Sequence, residues 1–249
     1  MTAPPRVLTI AGSDSSGGAG IQADIKTITM LGGYAMTAIT AVTAQNTVGV
    51  HAVEVLSPEV VVAQIDACLS DIGADAIKIG MLGSPQIAHV VIERLESLAL
   101  PVVFDPVMVA TSGSMLADSE TVAAFERLMR LATLTTPNVA ELAALGGHED
   151  MSARDVTYLA KGGDAESSEV EDRLVSPGVE DRIWHGARIA TVHTHGTGCT
   201  LSSAIATLLG KGLPLEDAID GARLFVRAAL EAAPGFGAGH GPMGHHAVR

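Results

Sequence analysis

Aromatic residues and cysteines are scarce in this 249-residue chain. Aromatic residues make up only 3% of it, although 47% of the residues are hydrophobic, so a large core must be packed from aliphatic side chains. The two cysteines, Cys68 and Cys199, argue against a disulfide framework. No apolar run approaches the ~20 residues that a membrane-spanning helix needs, and the first apolar stretch is too short for a signal peptide. We therefore expect a cytoplasmic protein with no membrane partner.

Basic residues are also few. The chain has 15 Lys and Arg against 28 Asp and Glu, which gives a formal net charge of −13 at pH 7. This charge repels phosphate backbones, so we expect no nucleic-acid partner. A phosphorylated ligand would have to be held by local groups or by a metal ion, since the overall field does not attract it.

Short β-branched segments alternate with longer segments of helical period along most of the chain. This order predicts an α/β fold with a mostly parallel sheet and helices on both faces, in a single domain over residues 1–249. In such sheets, ligands bind beyond the carboxyl ends of the strands. The unusual residues at those predicted ends are Asp14, Gln45, Met81, Asp105 and Asn138.

Two details of this pattern are specific. The pairs Ser57-Pro58 and Ser84-Pro85 predict helix starts, with serine as the N-cap and proline at the first helical position. The connection around residues 143–156 is unusually short, because a parallel crossover needs a dozen or more residues and only a short helix fits after Asn138.

The glycine-rich segment "GSDSSGGAGIQAD", residues 12–24, follows the first predicted strand. It lacks the Lys-Ser/Thr pair of a nucleotide P-loop and does not match the dinucleotide fingerprint. Alone, it is most simply a tight strand-to-helix turn. Asp24 is either an acidic residue in the first turn of a helix, which the helix dipole favours, or a ligand-binding residue.

A second glycine-rich segment, "HTHGTGCTLSSAIA", covers residues 193–206. Gly196, Thr197, Gly198 and Cys199 stand where a loop turns into an apolar helix, and backbone N–H groups at such a start form an anion hole. A thiol at this position tends to have a lowered pKa. The alternative is a plain glycine turn with a buried cysteine, and the small residues that follow favour the anion hole.

Acidic residues near two other strand ends could hold a metal ion. Asp105, with Asn138 and Glu141, suits Mg²⁺, which takes one or two protein carboxylates together with waters and phosphate oxygens. The alternative for Asn138 and Glu141 is a helix capping box, which the spacing alone favours. Lys161 ends a predicted strand and could reach a phosphate, or could simply be solvated.

The histidines of "GHGPMGHH", residues 239–246, look like a metal-binding tract. No cysteines or carboxylates accompany them, so we predict a flexible, solvated segment there.

Seven segments together resemble the hydroxymethylpyrimidine/phosphomethylpyrimidine kinases of thiamine biosynthesis, within the ribokinase-like superfamily. They are "AGSDSSGGAGIQADIKT", "TAVTAQNT", "KIGML", "DPVMVATSG", "TPNVAEL", "KGGD" and "THGTGCTLSSAIA", in the order of the family and over nearly the whole chain. The resemblance implies a ribokinase-like fold and an ATP- and Mg²⁺-dependent kinase. Its substrates would be 4-amino-5-hydroxymethyl-2-methylpyrimidine and the monophosphate of that compound, which becomes the diphosphate.

The resemblance also implies roles for individual residues. Asp24 and Gln45 would hydrogen-bond the aminopyrimidine, in a cavity lined by Gly12 and Met81. The anion hole from Gly196 through Thr197 and Gly198 would face the transferred phosphate. The thiolate of Cys199 would act as the base toward the substrate hydroxyl. The residues implied for Mg²⁺ and its waters beside the nucleotide phosphates are Asp105, Asn138 and Glu141, and Lys161 would neutralise phosphate charge.

Alternatives remain within and outside this family. A pyridoxal kinase uses the same scaffold for another hydroxymethyl-bearing ring, although Gln45 and Met81 favour the pyrimidine. A catalytically silent pyrimidine-binding protein would result if the short connection disabled ATP binding. The family usually carries Lys and Asn where Val192 and His193 stand here. Relatives are commonly dimers, so a homodimer is expected.

Overall fold

The computed structural model describes residues 3–109, 116, 119–165 and 167–248. The "DPVMVATSG" segment therefore lies partly outside the described residues. Within them, the strands are β1 (Arg6–Asp14), β2 (Tyr34–Gln45), β3 (Val50–Val55), β4 (Ala76–Ile79), β5 (Val102–Phe104), β6 (Leu134–Thr135), β7 (Tyr158–Ala160), β8 (Glu169–Val175) and β9 (Arg182–Ala187).

The helices alternate with the strands over most of the chain. They are α1 (Gly20–Met30), α2 (Pro58–Asp71), α3 (Pro85–Leu95), α4 (Ser119–Leu131), α5 (Val139–Ala144), α6 (Gly147–Ala153), α7 (Thr197–Gly210) and α8 (Leu215–Glu231), followed by a 3₁₀ turn at His245–Ala247. None of the described helices is long and apolar enough to cross a membrane.

The described strands join one nine-stranded sheet in the order β3-β2-β1-β4-β5-β6-β7-β8-β9. The pairs from β2 through β7 are parallel. The edge pairs β2–β3, β7–β8 and β8–β9 are antiparallel. The predicted α/β fold with a mostly parallel sheet is therefore confirmed, and the antiparallel strands were not predicted.

Each face of the sheet has its own aliphatic core. One core joins Ile10, Ile77 and Phe104 of the strands to buried residues of α2, α3 and α4. The other joins Val7, Val103 and Leu159 to α7 and α8. Burying one such side chain fully contributes about 1.5–3 kcal/mol, so the two cores supply most of the favourable free energy of folding.

Both predicted serine–proline helix starts are confirmed. The Ser57 side chain accepts a hydrogen bond from the backbone N–H of Val60, and the Ser84 side chain accepts one from the N–H of Ile87. Each serine satisfies an N–H that has no partner within its helix, which stabilises the helix by about 0.5–2 kcal/mol.

The short connection between β6 and β7 contains two helices, α5 and α6. Both are brief, at 6 and 7 residues, yet they complete a crossover between parallel neighbours. Met151 of α6 and Leu142 of α5 are buried in the first core. A second helix therefore forms after Gly146, where the sequence left little room for one.

The prediction of a solvated C-terminal segment is wrong. His245 is 2% exposed, and its Nε2 lies 2.8 Å from the Thr200 hydroxyl of α7. The backbone N–H of Gly244 donates to the carbonyl oxygen of Ala229 in α8 at 2.8 Å. Burial lowers the pKa of His245 to about 4, so its imidazole is neutral at neutral pH. Contacts with α7 and α8 therefore hold Gly244 and His245 in place, while His240 and His246 are exposed.

Candidate active site

A cavity of about 730 Å³ opens at the carboxyl edge of the parallel strands. This is the position that the parallel sheet predicted. Its lining includes every predicted site residue except Asp24, namely Gly12, Gln45, Met81, Asp105, Asn138, Glu141, Lys161, Gly196, Thr197, Gly198 and Cys199. The sheet thus brings together residues that are far apart in sequence.

One end of the cavity is built from the first glycine-rich loop and the ends of β2 and β4. Ser15 holds the Gln45 backbone on both sides: its hydroxyl donates to the Gln45 carbonyl, and the Gln45 N–H donates to the hydroxyl, both at 2.8 Å. The Thr40 hydroxyl donates to the Met81 carbonyl at 2.7 Å. Gly12 lies against the Met81 side chain. A polar amide above an apolar floor suits a flat heteroaromatic ring.

Asp24 is the one predicted site residue that does not line this cavity. The side chain is fully buried and pairs with the fully buried Lys78, whose Nζ lies 2.9 Å from Asp24 Oδ2. The hydroxyls of Thr9 and Ser203 also donate to the carboxylate. These contacts occupy both carboxylate oxygens of Asp24. It joins β1, β4 and α7 beneath the cavity floor.

The opposite end is the start of α7, where the predicted anion hole lies. Gly196 is the N-cap residue, with φ at 86°, a left-handed conformation that favours glycine. A Cβ there would overlap the carbonyl oxygen of Gly18 in the first glycine-rich loop. The first N–H groups of a helix have no partner in the helix, so they are available to an anion.

A cluster of charged side chains faces this helix start. The Lys161 Nζ lies 2.7 Å from Asp105 Oδ1 and 3.9 Å from Glu141 Oε2. A Cβ on Gly198 would lie 3.1 Å from the Lys161 Nζ and 3.3 Å from Asp105 Oδ2, so both groups reach the anion hole. Burial alone would lower the pKa of Lys161, but the charges of Asp105 and Glu141 outweigh burial and raise it. Lys161 is therefore a permanent cation here.

Asn138 and Glu141 form the capping box of α5, as the spacing predicted. The Asn138 side chain accepts from the Glu141 N–H, and the Glu141 carboxylate accepts from the Asn138 N–H, each at 2.8 Å. Burial raises the pKa of Glu141, against the influence of Lys161. The cap fixes the carboxylate at the rim of the cavity, so the structural and the ligand-binding roles of Glu141 are compatible.

Asp105 and Glu141 are also the candidate ligands of Mg²⁺. No group of three or more His, Cys, Asp or Glu side chains in the described part of the chain could hold a metal ion alone. Asp105 and Glu141 offer two carboxylates at one end of the cavity, which fits a cation that takes one or two protein ligands and completes its shell with water and phosphate oxygens. Asp105 and Glu141 therefore fit a Mg²⁺ ion that takes its remaining ligands from water and phosphate.

The Cys199 thiol has a raised pKa, which corrects the expectation of a lowered one. Burial raises the pKa to about 11, and the carboxylates of Asp24 and Asp105 add to this effect. Lys78 acts in the opposite direction but is outweighed. Because the helix start is desolvated and carboxylates lie nearby, its favourable field does not produce a thiolate at neutral pH.

His195 is the main residue at the site that the sequence reasoning missed. It is 4% exposed, and its Nε2 lies 2.8 Å from Asp14 Oδ2 and 3.4 Å from Gln45 Nε2. Asp14 belongs to the first glycine-rich loop and His195 directly precedes Gly196, so this pair joins the two loops. The sequence feature that could have identified His195 was its position directly before the glycines of the predicted anion hole.

Three arginines at the far wall of the cavity were also missed. Arg223 and Arg227 lie one helical turn apart on α8, and Arg188 follows β9. Arg223 pairs with Asp172 at 2.7 Å, and Arg227 donates to the Ala187 carbonyl at 2.8 Å. Asp164 and Asp172 line the same wall, so the three arginines leave it with a small excess of positive charge. The i, i+4 spacing of the two arginines on one helix face was the available signal.

A mostly parallel α/β sheet with a glycine-lined helix start beside Asp105 and Lys161 defines a kinase of the ribokinase-like class. The phosphomethylpyrimidine kinase family matches residues 14–244. The hydroxymethylpyrimidine/phosphomethylpyrimidine kinase of Rhizobium meliloti is 45% identical to this chain, over 96% of this chain and 96% of the relative. The chain belongs to the phosphomethylpyrimidine kinase family. It spans about half the length of some bifunctional thiamine-biosynthesis proteins that it also matches.

Solved structures agree with this class. The ADP complex of Bacillus subtilis pyridoxal kinase matches with a TM-score of 0.90 and 34% identity, over 99% of each chain. The phosphomethylpyrimidine kinase of Clostridium difficile matches with a TM-score of 0.76 and 37% identity, over 90% of this chain and 98% of that one. The predicted ribokinase-like fold is confirmed by both.

Proposed function

We propose that this kinase phosphorylates 4-amino-5-hydroxymethyl-2-methylpyrimidine with ATP, and then phosphorylates the monophosphate to the diphosphate. The observation that carries the proposal is the single cavity with a ring-binding amide, Gln45, at one end and the anion hole of α7 at the other. An aminopyrimidine edge offers both a donor and an acceptor, and the Gln45 amide offers the complementary pair. Family membership supports the same substrate.

Binding places the ring so that its hydroxymethyl group faces Gly196, Thr197 and Gly198. Met81 and Gly12 form the apolar surface under the ring. Holding the hydroxyl and the phosphoryl group in one cavity makes their encounter intramolecular, which is a large share of catalysis in phosphoryl transfer. The walls of the cavity also limit the access of water, which would otherwise compete with the hydroxyl as acceptor.

During transfer, the substrate oxygen forms a bond to the γ-phosphorus as the bond from that phosphorus to the leaving ADP oxygen breaks. The N–H groups at the start of α7 and the Lys161 ammonium stabilise the charge on the transferred phosphoryl oxygens. Cys199 accepts the hydroxyl proton, and only its thiolate can do so. Because burial raises the pKa of this thiol, the proposed base makes turnover rise with pH.

Mg²⁺, when bound, would neutralise charge on the nucleotide phosphates, and Asp105 and Glu141 would hold it. Asn138 fixes Glu141 through the capping box. ATP would extend toward the basic wall, where Arg188, Arg223 and Arg227 line the cavity. Those arginines are paired with protein oxygens, so they shape this wall as well as charging it.

A turnover assay with the pyrimidine and pyridoxal side by side tests the proposal. We expect the pyrimidine to give both the monophosphate and the diphosphate, detected by mass spectrometry, with a kcat/KM above that for pyridoxal. Pyridoxal kinase activity is the second candidate, because the pyridoxal kinase structure has the higher TM-score of the two. A higher kcat/KM for pyridoxal would overturn the primary assignment.

Calorimetry with an ATP analogue separates an enzyme from a silent pyrimidine-binding protein. A kinase binds both the analogue and the pyrimidine, whereas a silent protein binds the pyrimidine alone. The short α5–α6 connection lies near the nucleotide end, so this measurement also tests whether that connection leaves the ATP site intact.

We also infer a homodimer and a cytoplasmic location. β3 is the first strand in the sheet order, and Val53 and Val55, which share one face of it, are 42% and 39% exposed. An exposed apolar edge strand suits pairing with a second copy. Light scattering should give twice the chain mass, and Val53→Lys should give a monomer. Cell fractionation tests the location.

A further inference from the structure

The carboxylate of Asp14 accepts several hydrogen bonds. Its Oδ1 accepts from the Ser16 N–H at 2.8 Å, and its Oδ2 accepts from the N–H groups of Gly18 at 3.0 Å and Ala19 at 2.8 Å. Burial would raise the pKa of Asp14, but the bonds from His195, Ala19 and Ser16 outweigh burial and lower it to about 2. Asp14 is therefore ionised and can only accept.

The ionised carboxylate of Asp14 determines which nitrogen of the neighbouring His195 carries a hydrogen. His195 Nε2 lies 2.8 Å from Asp14 Oδ2, and a carboxylate can only accept, so Nε2 carries a hydrogen. This holds whether the imidazole is neutral or charged. The ring packs closely on Gly18, where an added Cβ would overlap it.

Gln45 lies between His195 and Thr43. Its Nε2 lies 3.4 Å from His195 Nε2, and its Oε1 lies 3.2 Å from the Thr43 hydroxyl. The Thr43 hydroxyl also lies 3.1 Å from the Ser13 carbonyl oxygen, which can only accept, so its single hydrogen is directed there. Thr43 can then only accept from Gln45. The Nε2–H of His195 donates to Asp14 and reaches Gln45 only as the longer branch of a shared hydrogen bond, but an amide NH₂ facing it would bring hydrogens together, so it favours the amide oxygen. Both Thr43 and His195 are satisfied when the amide turns so that Oε1 faces His195 and Nε2 faces Thr43.

We propose that Asp14 and His195 are positioning residues that set the orientation of the Gln45 amide and, through it, the direction in which an aminopyrimidine ring lies in the cavity. The inference rests on the proposed function and deepens it by assigning the direction of the ring. With Oε1 on the His195 side, the exocyclic amino group of the ring donates there and the adjacent ring nitrogen accepts from Nε2.

The direction of the ring decides whether the reacting group is near the anion hole. In the substrate, the hydroxymethyl carbon is attached next to the carbon that bears the amino group. The amino group on the His195 side therefore places the hydroxymethyl group on that side, and His195 directly precedes Gly196 of the anion hole. With the amide reversed, the ring binds with its hydroxymethyl group directed toward Thr43, away from the phosphoryl group.

Two substitutions of His195 test this in opposite directions. His195→Gln keeps an N–H for Asp14 but offers its amide oxygen to Gln45, so it reverses the amide and the ring. His195→Leu offers neither and leaves Thr43 to orient the amide. We expect kcat for the pyrimidine to fall ~10-fold or more in His195→Gln and much less in His195→Leu, with the calorimetric Kd of the pyrimidine changed less than kcat in both.

A merely structural role predicts the reverse order, because Gln resembles His in polarity and hydrogen bonding more closely than Leu does. If His195→Gln retains more kcat than His195→Leu, the inference is overturned while pyrimidine turnover by the unmodified enzyme still supports the proposed function. No pyrimidine turnover by the unmodified enzyme overturns both. His148→Gln is the matched control, since His148 contacts Tyr158 and does not line this cavity, and it should leave kcat unchanged.

Nitrogen NMR of the imidazole gives an independent test that needs no turnover. We expect the His195 Nε2 signal of the unmodified protein, assigned by its loss in His195→Leu, to be that of a protonated nitrogen at neutral pH. An unprotonated Nε2 would mean that His195 presents no hydrogen toward Asp14 and Gln45, and this would overturn the inference.

Discussion

The raised pKa of Cys199 leads to a quantitative prediction for alkylation. A thiol with a pKa of about 11 is ionised ~100-fold less at pH 8 than a thiol with the ordinary pKa of 9.0, and the thiolate is the reacting species. We expect the rate of alkylation by iodoacetamide to rise tenfold with each pH unit from pH 7 to about 10. The Cys68→Ser background isolates the reaction, because Cys68 and Cys199 are the two cysteines of the chain.

The same chemistry predicts the pH dependence of turnover. If the Cys199 thiolate is the base, kcat/KM for the pyrimidine rises with pH over the same range. Cys199→Ser should remove this rise and lower kcat by ~10²–10⁴-fold, the usual contribution of a general base. KM for the pyrimidine should change little, and bound substrate should protect Cys199 from alkylation.

The alkylation rates and the turnover of Cys199→Ser test different parts of this reasoning. An alkylation rate that levels off below pH 9 would mean that Lys78 and the start of α7 outweigh burial, so the explanation of the pKa would be wrong. A Cys199→Ser variant with near-normal turnover and an unmoved pH profile would leave catalysis to the anion hole and Lys161, and the assignment of Cys199 as base would be wrong.

Three further predictions concern other parts of the site and the fold. Gln45→Ala should weaken pyrimidine binding by ~1–3 kcal/mol and leave ATP binding nearly unchanged by calorimetry, whereas equal loss for both would make Gln45 a structural residue. Asp105→Asn should raise the Mg²⁺ concentration that half-maximal activity requires, and should speed alkylation of Cys199 at pH 8 because a charge that raises the thiol pKa is removed; an unchanged Mg²⁺ dependence would exclude Asp105 as a ligand. His245 has a lowered pKa, so its contribution to stability is complete above about pH 6.5 and is lost as pH falls through about 4. His245→Gln should reduce the fall in unfolding free energy between pH 7 and 4.5 in urea titrations, and an identical fall would contradict this.

Local patterns were sufficient for much of the fold and of the cavity. The parallel strands are short apolar segments, and the starts of α2 and α3 are set by serine and proline side chains that act within a few residues. The carboxyl ends of parallel strands lie at one edge, so Gln45, Met81 and Asp105 could be placed together without knowing the strand order.

Residues whose environment depends on distant partners could not be placed this way. Lys78 stands inside an apolar strand, where a lysine is ordinarily expected to be solvated, and its burial depends on Asp24, 54 residues earlier. The sequence pattern leaves Asp24 either a first-turn acidic residue or a ligand-binding one, and it does not reveal the buried lysine with which Asp24 pairs. His195 likewise depends on Asp14, 181 residues away.

The antiparallel strands and the packing of the C-terminal segment were not predicted, for a different reason. β8 reads "EVEDRLV" and carries four charged residues in seven, so it resembles a loop more than a strand. Its backbone bonds to β7 and β9 form it, and those neighbours are not encoded in its own sequence. His245 is surrounded in sequence by glycines and histidines that are typical of solvated segments, although Thr200 of α7 and Phe225 of α8 contact it.

The packing of α7 has a consequence for the order in which the chain can fold during synthesis. Val7 near the N-terminus and Leu201 in α7 belong to the same core, so the first strand is covered on one face by almost the last helices. β1 pairs with β2 and β4 early, and α1 covers part of that face through Ile28, yet the rest of that face stays open to solvent until α7 and α8 have left the ribosome. A nascent chain arrested before Thr197 should therefore be captured by chaperones that bind exposed aliphatic surface, and release of the C-terminal helices should end that binding.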